Sequence, residues 1–351
     1  MLKLSKVTNF LVVFLFIIFF VSFLNAQEQT AYPDIPRIDV HTHIGGKVQA
    51  VTNFIDLRER LITNNKIEMA MWINLGSSKS PYTNLDSIMT AAENRVLCCI
   101  YDYSPHKGFD LSPEELSGQL EKGYIGYKIW AGPPHRILKS GEKGFPYIDN
   151  PAHEPTFAKM EEIGMLAASI HIADPNGPWG KRTKWLPDPV EYWKQIIAFR
   201  HVLERHPKLN VVCAHAMWAI CQDAQIDYLR NMLATFPNMN IDLAATFQYY
   251  DLVSYENLRS FMIEYADRIL YGTDIGHWAD SSGTTERLEA YQRSFLILET
   301  DRTVEKGFFG SSEIKGLALP REVLEKIYYK NAVRLYPGVK EHMQKLGYPV
   351  E

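Results

Sequence analysis

The chain alternates between short apolar runs and longer amphipathic stretches over most of its length. Eight apolar runs of six to eight residues, rich in Val, Ile and Tyr, are typical of buried parallel strands. They cover residues 37–43, 67–74, 96–102, 124–130, 166–171, 209–215, 239–245 and 268–274. Apolar positions at helical spacing lie between them, for example over 189–205, 225–236 and 255–265. This eightfold alternation predicts an α/β fold, a single (β/α)8 TIM barrel.

Turn-forming and helix-ending residues support this arrangement. Pro187 and Pro189 stand near the start of one predicted helix, and Pro207 follows its end. Segment 172–186 is long and holds Pro, Gly and two Trp, as expected for a loop that builds a substrate pocket. Residues 285–298 and 320–335 predict helices that follow the eighth strand. We expect one domain from about residue 30 to residue 351.

The first 26 residues have the pattern of a secretory signal peptide rather than of a folded segment. Lys3 and Lys6 give a positive start, residues 10–24 are almost entirely apolar, and Ala26 offers a small residue at a cleavage point. The apolar run is shorter than the roughly 20 residues that span a bilayer. The sequence therefore predicts an exported protein, periplasmic or secreted, with an uncleaved N-terminal anchor as the alternative.

The overall composition is that of a globular protein, 46% hydrophobic and 22% charged. The formal charge of −4 comes without any basic block, which argues against nucleic acid as the main partner. No two cysteines form a Cys-x-x-Cys pair, so a thiolate zinc site is not supported. We expect buried thiols rather than disulfides at all four positions, which are Cys98, Cys99, Cys213 and Cys221.

Candidate metal ligands follow several of the predicted strands. His41 and His43 end the first strand one residue apart, so both imidazoles can face the same side. Other candidates stand at or near the ends of the fourth, fifth, sixth and eighth strands: Lys128, His171, His215 and Asp274. In a barrel of parallel strands these ends share the C-terminal face, where active sites lie.

A zinc-like divalent ion with one open position explains why imidazoles and a carboxylate collect at this face. Such an ion lowers the pKa of a bound water and polarises a substrate carbonyl. Asp274 would bind the ion weakly and accept the proton of the water. His215 would act as acid or base, or would polarise the substrate oxygen.

The chain resembles the amidohydrolase superfamily, and within it the group called amidohydrolase family 2. The matching motifs occur in the order that the family has, at residues 39–43, 126–129, 170–175, 205–207, 214–215, 267–274 and 328–332. The resemblance implies a distorted TIM barrel. It also implies metal ligands at His41, His43, His171 and Asp274, with His215 as a catalytic residue or a further ligand.

Lys128 admits two interpretations. In two-metal members of the superfamily a carboxylated lysine on the fourth strand bridges the ions, whereas family 2 enzymes usually hold one ion. We therefore expect one divalent ion, with zinc the favoured identity and a second ion only if Lys128 is carboxylated. Otherwise Lys128 would form a salt bridge or contact a substrate carboxylate.

The side chains that line the pocket are predicted from their places at or after strand ends. Substrate contacts are expected from Trp130, Trp218, His277 and Arg182, with Trp179, Trp185, Trp278 and Lys184 as further candidates. Tryptophan at such positions can stack on a sugar or an aromatic ring, but it can equally serve packing. The expected partner is a small-molecule substrate, and a homo-oligomer is compatible with the fold.

Three functions are compatible with these residues. The first is hydrolysis of a lactone, amide or ester by metal-bound hydroxide, with Asp274 and His215 as acid and base. The second is non-oxidative decarboxylation of an aromatic or unsaturated acid, which other family 2 members carry out. Some of those decarboxylases have Glu where this chain has His41, which favours hydrolysis slightly. The third is an exported metal-binding protein without catalysis.

Overall fold

The structure is a computed structural model, and it describes residues 30–77, 79–132, 138, 141–174, 189–306 and 312–350. Within these ranges no helix is both long enough and apolar enough to cross a membrane. The predicted signal peptide, residues 1–26, lies outside the described residues, and so does most of the loop predicted at 172–186.

Every one of the eight predicted strand segments contains a strand. In chain order the strands are β1 (Arg37–His43), β2 (Met69–Asn74), β3 (Val96–Cys98), β4 (Gly126–Trp130), β5 (Leu166–His171), β6 (Val211–Cys213), β7 (Met239–Asp242), β8 (Ile269–Leu270) and β9 (Ile275–Gly276). They form two parallel sheets with the orders β3-β2-β1-β9 and β4-β5-β6-β7-β8. The unexpected ninth strand continues β8 after a short break and pairs with β1.

Backbone hydrogen bonds connect the two sheets at both seams. Between β3 and β4, the amide of Ile100 donates to the carbonyl of Gly126 at 2.9 Å. Between β1 and β8, the amide of Val40 donates to the carbonyl of Tyr271 at 3.0 Å. The strand order and these bonds confirm the predicted (β/α)8 architecture, and they bring the carboxyl ends of all strands to one face.

Helices connect the strands and pack outside them. They are α1 (Val48–Arg60), α2 (Leu85–Ala91), α3 (Leu116–Glu121), α4 (Glu154–Ile163), α5 (Pro189–Arg205), α6 (Asp223–Thr235), α7 (Tyr255–Glu264), α8 (Ser281–Glu299), α9 (Arg321–Glu325), α10 (Asn331–Leu335) and α11 (Val339–Lys345). A turn of π-helix joins α9 to α10, so the predicted helix over 320–335 is nearly continuous. A small hairpin, β10 (Thr303–Val304) and β11 (Ile314–Lys315), follows α8 and was not predicted.

The barrel interior is apolar below the strand ends. Inward side chains such as Ile38, Val40 and Leu270 form one cluster with Tyr336 and Met343, which cover it from the C-terminal helices. Since burying such side chains contributes about 1.5–3 kcal/mol each, this cluster is a main source of stability.

The cysteines of the chain are buried as well. All four lie in the described part of the chain and are buried thiols, as predicted, at Cys98, Cys99, Cys213 and Cys221. Burial raises the pKa of Cys98 to about 12, so this thiol remains protonated at neutral pH.

Candidate metal centre

The ends of β1 and β8 bring two histidines and one aspartate together. The Nε2 atom of His43 lies 3.0 Å from Oδ1 of Asp274, and Nε2 of His41 lies 3.5 Å from the same oxygen. Gly272 makes this approach sterically feasible, because a Cβ there would lie 2.9 Å from the Cβ of His41. These three side chains are grouped closely enough to hold one metal ion.

A third histidine approaches from the end of β6. His215 begins a turn of four consecutive residues with left-handed backbone, from His215 (φ 56°) to Trp218 (φ 59°). Left-handed backbone costs roughly 1–2 kcal/mol for each non-glycine residue, so other contacts must hold this turn. Tyr192 donates to the carbonyl of Met217 at 2.8 Å, and the indole N–H of Trp218 donates to the carbonyl of Ala173 at 2.9 Å. The turn presents His215 to the site.

Hydrogen bonds at Nδ1 determine which nitrogen each imidazole offers. Nδ1 of His41 lies 2.8 Å from a carboxylate oxygen of Asp242, that of His43 lies 2.6 Å from the carbonyl of Gly76, and that of His215 lies 2.7 Å from the carbonyl of Ala244. Because these partners are acceptors, each Nδ1 carries the proton. The Nε2 lone pairs are then available to a ligand.

Burial keeps two of these rings neutral. It lowers the pKa of His41, and it lowers the pKa of His215 well below its usual value, where His171 adds to the effect. Neutral imidazoles together with the carboxylate of Asp274 are the donor set that zinc-like ions prefer. The residues present therefore fit a divalent metal ion.

His171 completes the group of predicted ligands. Its Nδ1 lies 3.3 Å from Nε2 of His215, and its Nε2 has no hydrogen-bond partner among the described residues. Asp174 approaches that Nε2 to 3.5 Å. A buried ring nitrogen without a partner is costly, and a bound ion would remove that cost. The structure thus brings together His41, His43, His171, His215 and Asp274.

Asp242, at the end of β7, is a site residue that the sequence did not reveal. Besides His41, it accepts the backbone N–H groups of His215 and Ala244, each at 3.0 Å. Burial acts to raise its pKa, but His41 and His215 outweigh that effect and lower it to about 2. Asp242 is therefore a carboxylate that orients His41 and the start of the His215 turn together. The available signal was only a carboxylate within an otherwise apolar predicted strand, over residues 239–245.

Lys128, on β4, lies beside the group of histidines. Its ammonium nitrogen is 3.4 Å from Nε2 of His41 and donates to the hydroxyl of Ser169 at 3.0 Å. The side chain is buried, and burial lowers its pKa although Asp274 and Asp242 act to raise it. Within the described ranges this nitrogen has no ion-pair partner.

The candidate substrate contacts occupy different environments. Trp130 is partly exposed, with its ring centre 6.3 Å from that of His171, and His277 is exposed. Trp218 is buried and stacks on His215, with ring centres 4.5 Å apart, so it supports that histidine. Trp278 is also buried and packs on Phe54. The remaining candidates lie outside the described residues: Trp179, Arg182, Lys184 and Trp185.

Comparison with known proteins decides the family. A family model described as amidohydrolase matches residues 120–338, which is more than half of the chain. The protein belongs to amidohydrolase family 2. This family is metal-dependent, which agrees with the donor set of the site. No curated protein matches the sequence of this amidohydrolase.

Solved structures resemble the amidohydrolase in fold at low sequence identity. An uncharacterised TIM-barrel protein from Bordetella bronchiseptica is 16% identical with a TM-score of 0.50, covering 86% of this chain and 98% of its own. 4-Oxalomesaconate hydratase from Rhodopseudomonas palustris is 12% identical with a TM-score of 0.45, covering 89% and 98%. 5-Carboxyvanillate decarboxylase from Sphingomonas paucimobilis is 15% identical with a TM-score of 0.44, covering 86% and 99%.

Proposed function

We propose that this amidohydrolase is a metal-dependent hydrolase that opens a lactone, amide or ester bond in a small molecule. The observation that carries the proposal is the set of Nε2 nitrogens on His41, His43 and His171 that can serve a ligand, together with the carboxylate of Asp274. These groups form a nitrogen and carboxylate donor set of the kind that zinc hydrolases use. The proposed ion is one zinc or a similar divalent metal.

The chemistry that such an ion supplies when bound is activation of water and polarisation of a carbonyl group. The side chains of the site would accept and donate the protons of the reaction. Burial acts to raise the pKa of Asp274, but the neighbouring histidines, His43 first among them, lower it strongly. Asp274 is therefore ionised at neutral pH, and its carboxylate can accept a proton from the attacking water.

His215 is suited to the second proton transfer. Its Nδ1–H is held by the carbonyl of Ala244, so a proton can enter or leave only at Nε2. Its lowered pKa keeps Nε2 unprotonated, so it can hydrogen-bond a substrate N–H or O–H group and receive its proton. The stacked Trp218 shields one face of the ring from water.

Decarboxylation is the second candidate, and Lys128 is the observation that favours it. Its ammonium is buried, and no carboxylate of the described residues pairs with it. An incoming substrate carboxylate would supply the missing countercharge. If instead Lys128 is carboxylated, it would become a ligand to a second ion and hydrolysis would be favoured.

The test begins with metal counting on the purified protein and on a His41→Ala/His43→Ala double variant. We expect about one zinc or similar ion per wild-type chain and almost none in the variant. Two ions per chain would support a carboxylated Lys128. Normal metal content in the variant would contradict the proposed ligands.

The metal-loaded protein is then assayed with a panel of lactones, esters, amides and aromatic acids. Release of acid from a lactone or ester without bicarbonate supports the hydrolase. Bicarbonate release from an aromatic acid supports the decarboxylase instead. Metal retention without turnover of any compound would favour a non-catalytic metal-binding protein. Export is a separate proposal, supported by the pattern of residues 1–26, and N-terminal sequencing of the mature protein tests it.

A further inference from the structure

A buried carboxylate, Asp39, contacts the backbone beside two of the proposed ligands, His41 and Asp274. It sits on β1, two residues before His41, and is fully shielded from solvent. Its Oδ1 accepts the backbone N–H of His41 at 3.0 Å and that of Thr273 at 3.1 Å. Its Oδ2 accepts the hydroxyl of Thr273 and, at 2.6 Å, the hydroxyl of Tyr291. Four donors thus surround one side chain.

The direction of these hydrogen bonds is fixed by the neighbours of the two hydroxyl groups. The indole N–H of Trp72 donates to the Tyr291 oxygen at 2.9 Å, and the amide of Ile275 donates to the Thr273 oxygen at 3.3 Å. Each oxygen is already an acceptor from an N–H group, so its own proton points to Asp39. Both hydroxyl groups therefore donate to Asp39, and the network holds them in place.

The network joins the two strands that carry the proposed ligands. The backbone N–H of His41 donates to Asp39, and so does that of Thr273, which immediately precedes Asp274 in the chain. Asp274 has a left-handed backbone, φ 68°, which is unfavourable for a residue with a side chain. Its amide donates to the carbonyl of His41 at 2.9 Å. The unfavourable conformation of Asp274 is thus held from both sides by contacts to β1.

We propose that Tyr291 and Thr273 are positioning residues that act through Asp39 to set the position of Asp274 relative to His41. The inference rests on the metal site of the proposed function, and it adds a residue of α8 that touches no ligand. Loss of either hydroxyl group leaves Asp39 with one donor fewer and lets β8 move relative to β1. Metal affinity then falls even though every ligand remains.

The experiment compares Tyr291→Phe with Tyr328→Phe. Both tyrosines are fully buried, and both donate to a buried carboxylate, Tyr291 to Asp39 and Tyr328 to Glu299 at 2.9 Å. The two variants therefore lose the same kind of bond, but only one loses it next to the ligands. Zn²⁺ affinity is measured by competition with a chelator, and the thermal unfolding midpoint is measured in parallel.

We expect Tyr291→Phe to bind Zn²⁺ about tenfold more weakly than the wild type, as is typical when a group behind a ligand is removed. Tyr328→Phe should keep wild-type affinity while losing a comparable amount of thermal stability. Equal weakening in both variants would overturn the inference, because it would indicate general loosening. Unchanged affinity in Tyr291→Phe would overturn it as well.

A second pair of variants covers the case in which Tyr291→Phe fails to fold. Thr273→Val removes the hydroxyl group and keeps the shape, whereas Thr273→Ser keeps the hydroxyl group. We expect weaker Zn²⁺ binding only in Thr273→Val, and equal affinity in the two would contradict the inference. Absence of Zn²⁺ binding in the wild type would refute the proposed metal site itself, and the positioning role with it.

Discussion

Asp242 determines the tautomer of His41. Its Oδ2 lies 2.8 Å from Nδ1 of His41, so that nitrogen keeps its proton and Nε2 is left as a lone pair. A carboxylate behind a metal-binding histidine commonly has this role. Because Asp242 also accepts the backbone N–H of His215, one side chain orients groups at the ends of β1 and β6.

Asp242→Asn is expected to weaken metal binding by about 10- to 100-fold. The asparagine oxygen can still accept the N–H groups of His215 and Ala244, but its NH₂ group then faces His41. Nδ1 of His41 must become an acceptor, its proton moves to Nε2, and the lone pair is lost. Metal content at a buffered free Zn²⁺ concentration measures the effect. Asp223→Asn, at an exposed carboxylate bonded to Ser254, is the control and should bind normally.

His215→Asn is expected to retain metal while losing turnover by about 10²- to 10⁴-fold, the range for removal of an acid–base group. The measurement is kcat on the substrate found in the panel, with metal content of the same sample. His201→Asn, on an exposed helix surface where it contacts Asp149, is the control. Loss of metal together with turnover would make His215 a ligand instead.

Glu299→Gln is expected to destabilise the protein by about 3–5 kcal/mol, because it leaves the buried guanidinium of Arg37 without its countercharge. The two side chains are 2.7 Å apart and fully buried. Denaturant unfolding measures the change. Asp34→Asn breaks the exposed pair with Arg321 and should cost less than about 1 kcal/mol. A similar cost for both variants would show that burial of the first pair is unimportant.

Lys66→Gly is expected to stabilise the fold by about 0.5–1 kcal/mol. Lys66 is exposed and has a left-handed backbone, φ 57°, where the chain leaves α1 and its terminal π-turn. Glycine adopts this conformation without steric cost. Lys122→Gly, at φ −75°, should instead destabilise the protein, and thermal unfolding separates the two. A lower midpoint for Lys66→Gly would contradict the argument.

The strands were largely predictable from sequence because each is an apolar run between polar segments. The bounds of β1 and β5 agree with the predicted runs residue for residue. The predicted runs at β6 and β8 are too long, since the observed strands hold three and two residues. There the chain leaves the sheet early and turns into the site, and an apolar run does not distinguish a strand from a buried turn.

The site was predictable only in part. Histidines at strand ends indicate metal binding by their chemistry, but Asp242 lies inside a predicted run, and its role depends on where β7 stops. The left-handed turn from His215 to Trp218 contains neither glycine nor asparagine, so no local signal marks it. It depends on distant contacts such as Tyr192 to Met217. The same contacts bury Trp218 although its position after a strand also fitted a substrate contact.

The reactivity of the four buried cysteines can show where the barrel opens locally. Cys98 and Cys213 lie on strands of different sheets, Cys99 directly follows Cys98, and Cys221 ends the buried turn that follows β6. An alkylating reagent can reach any of them only when the packing around that strand separates, since reaction requires an exposed thiolate. The order in which the four cysteines are alkylated therefore shows which side of the barrel opens first. The alkylation rates give the free energy of that opening.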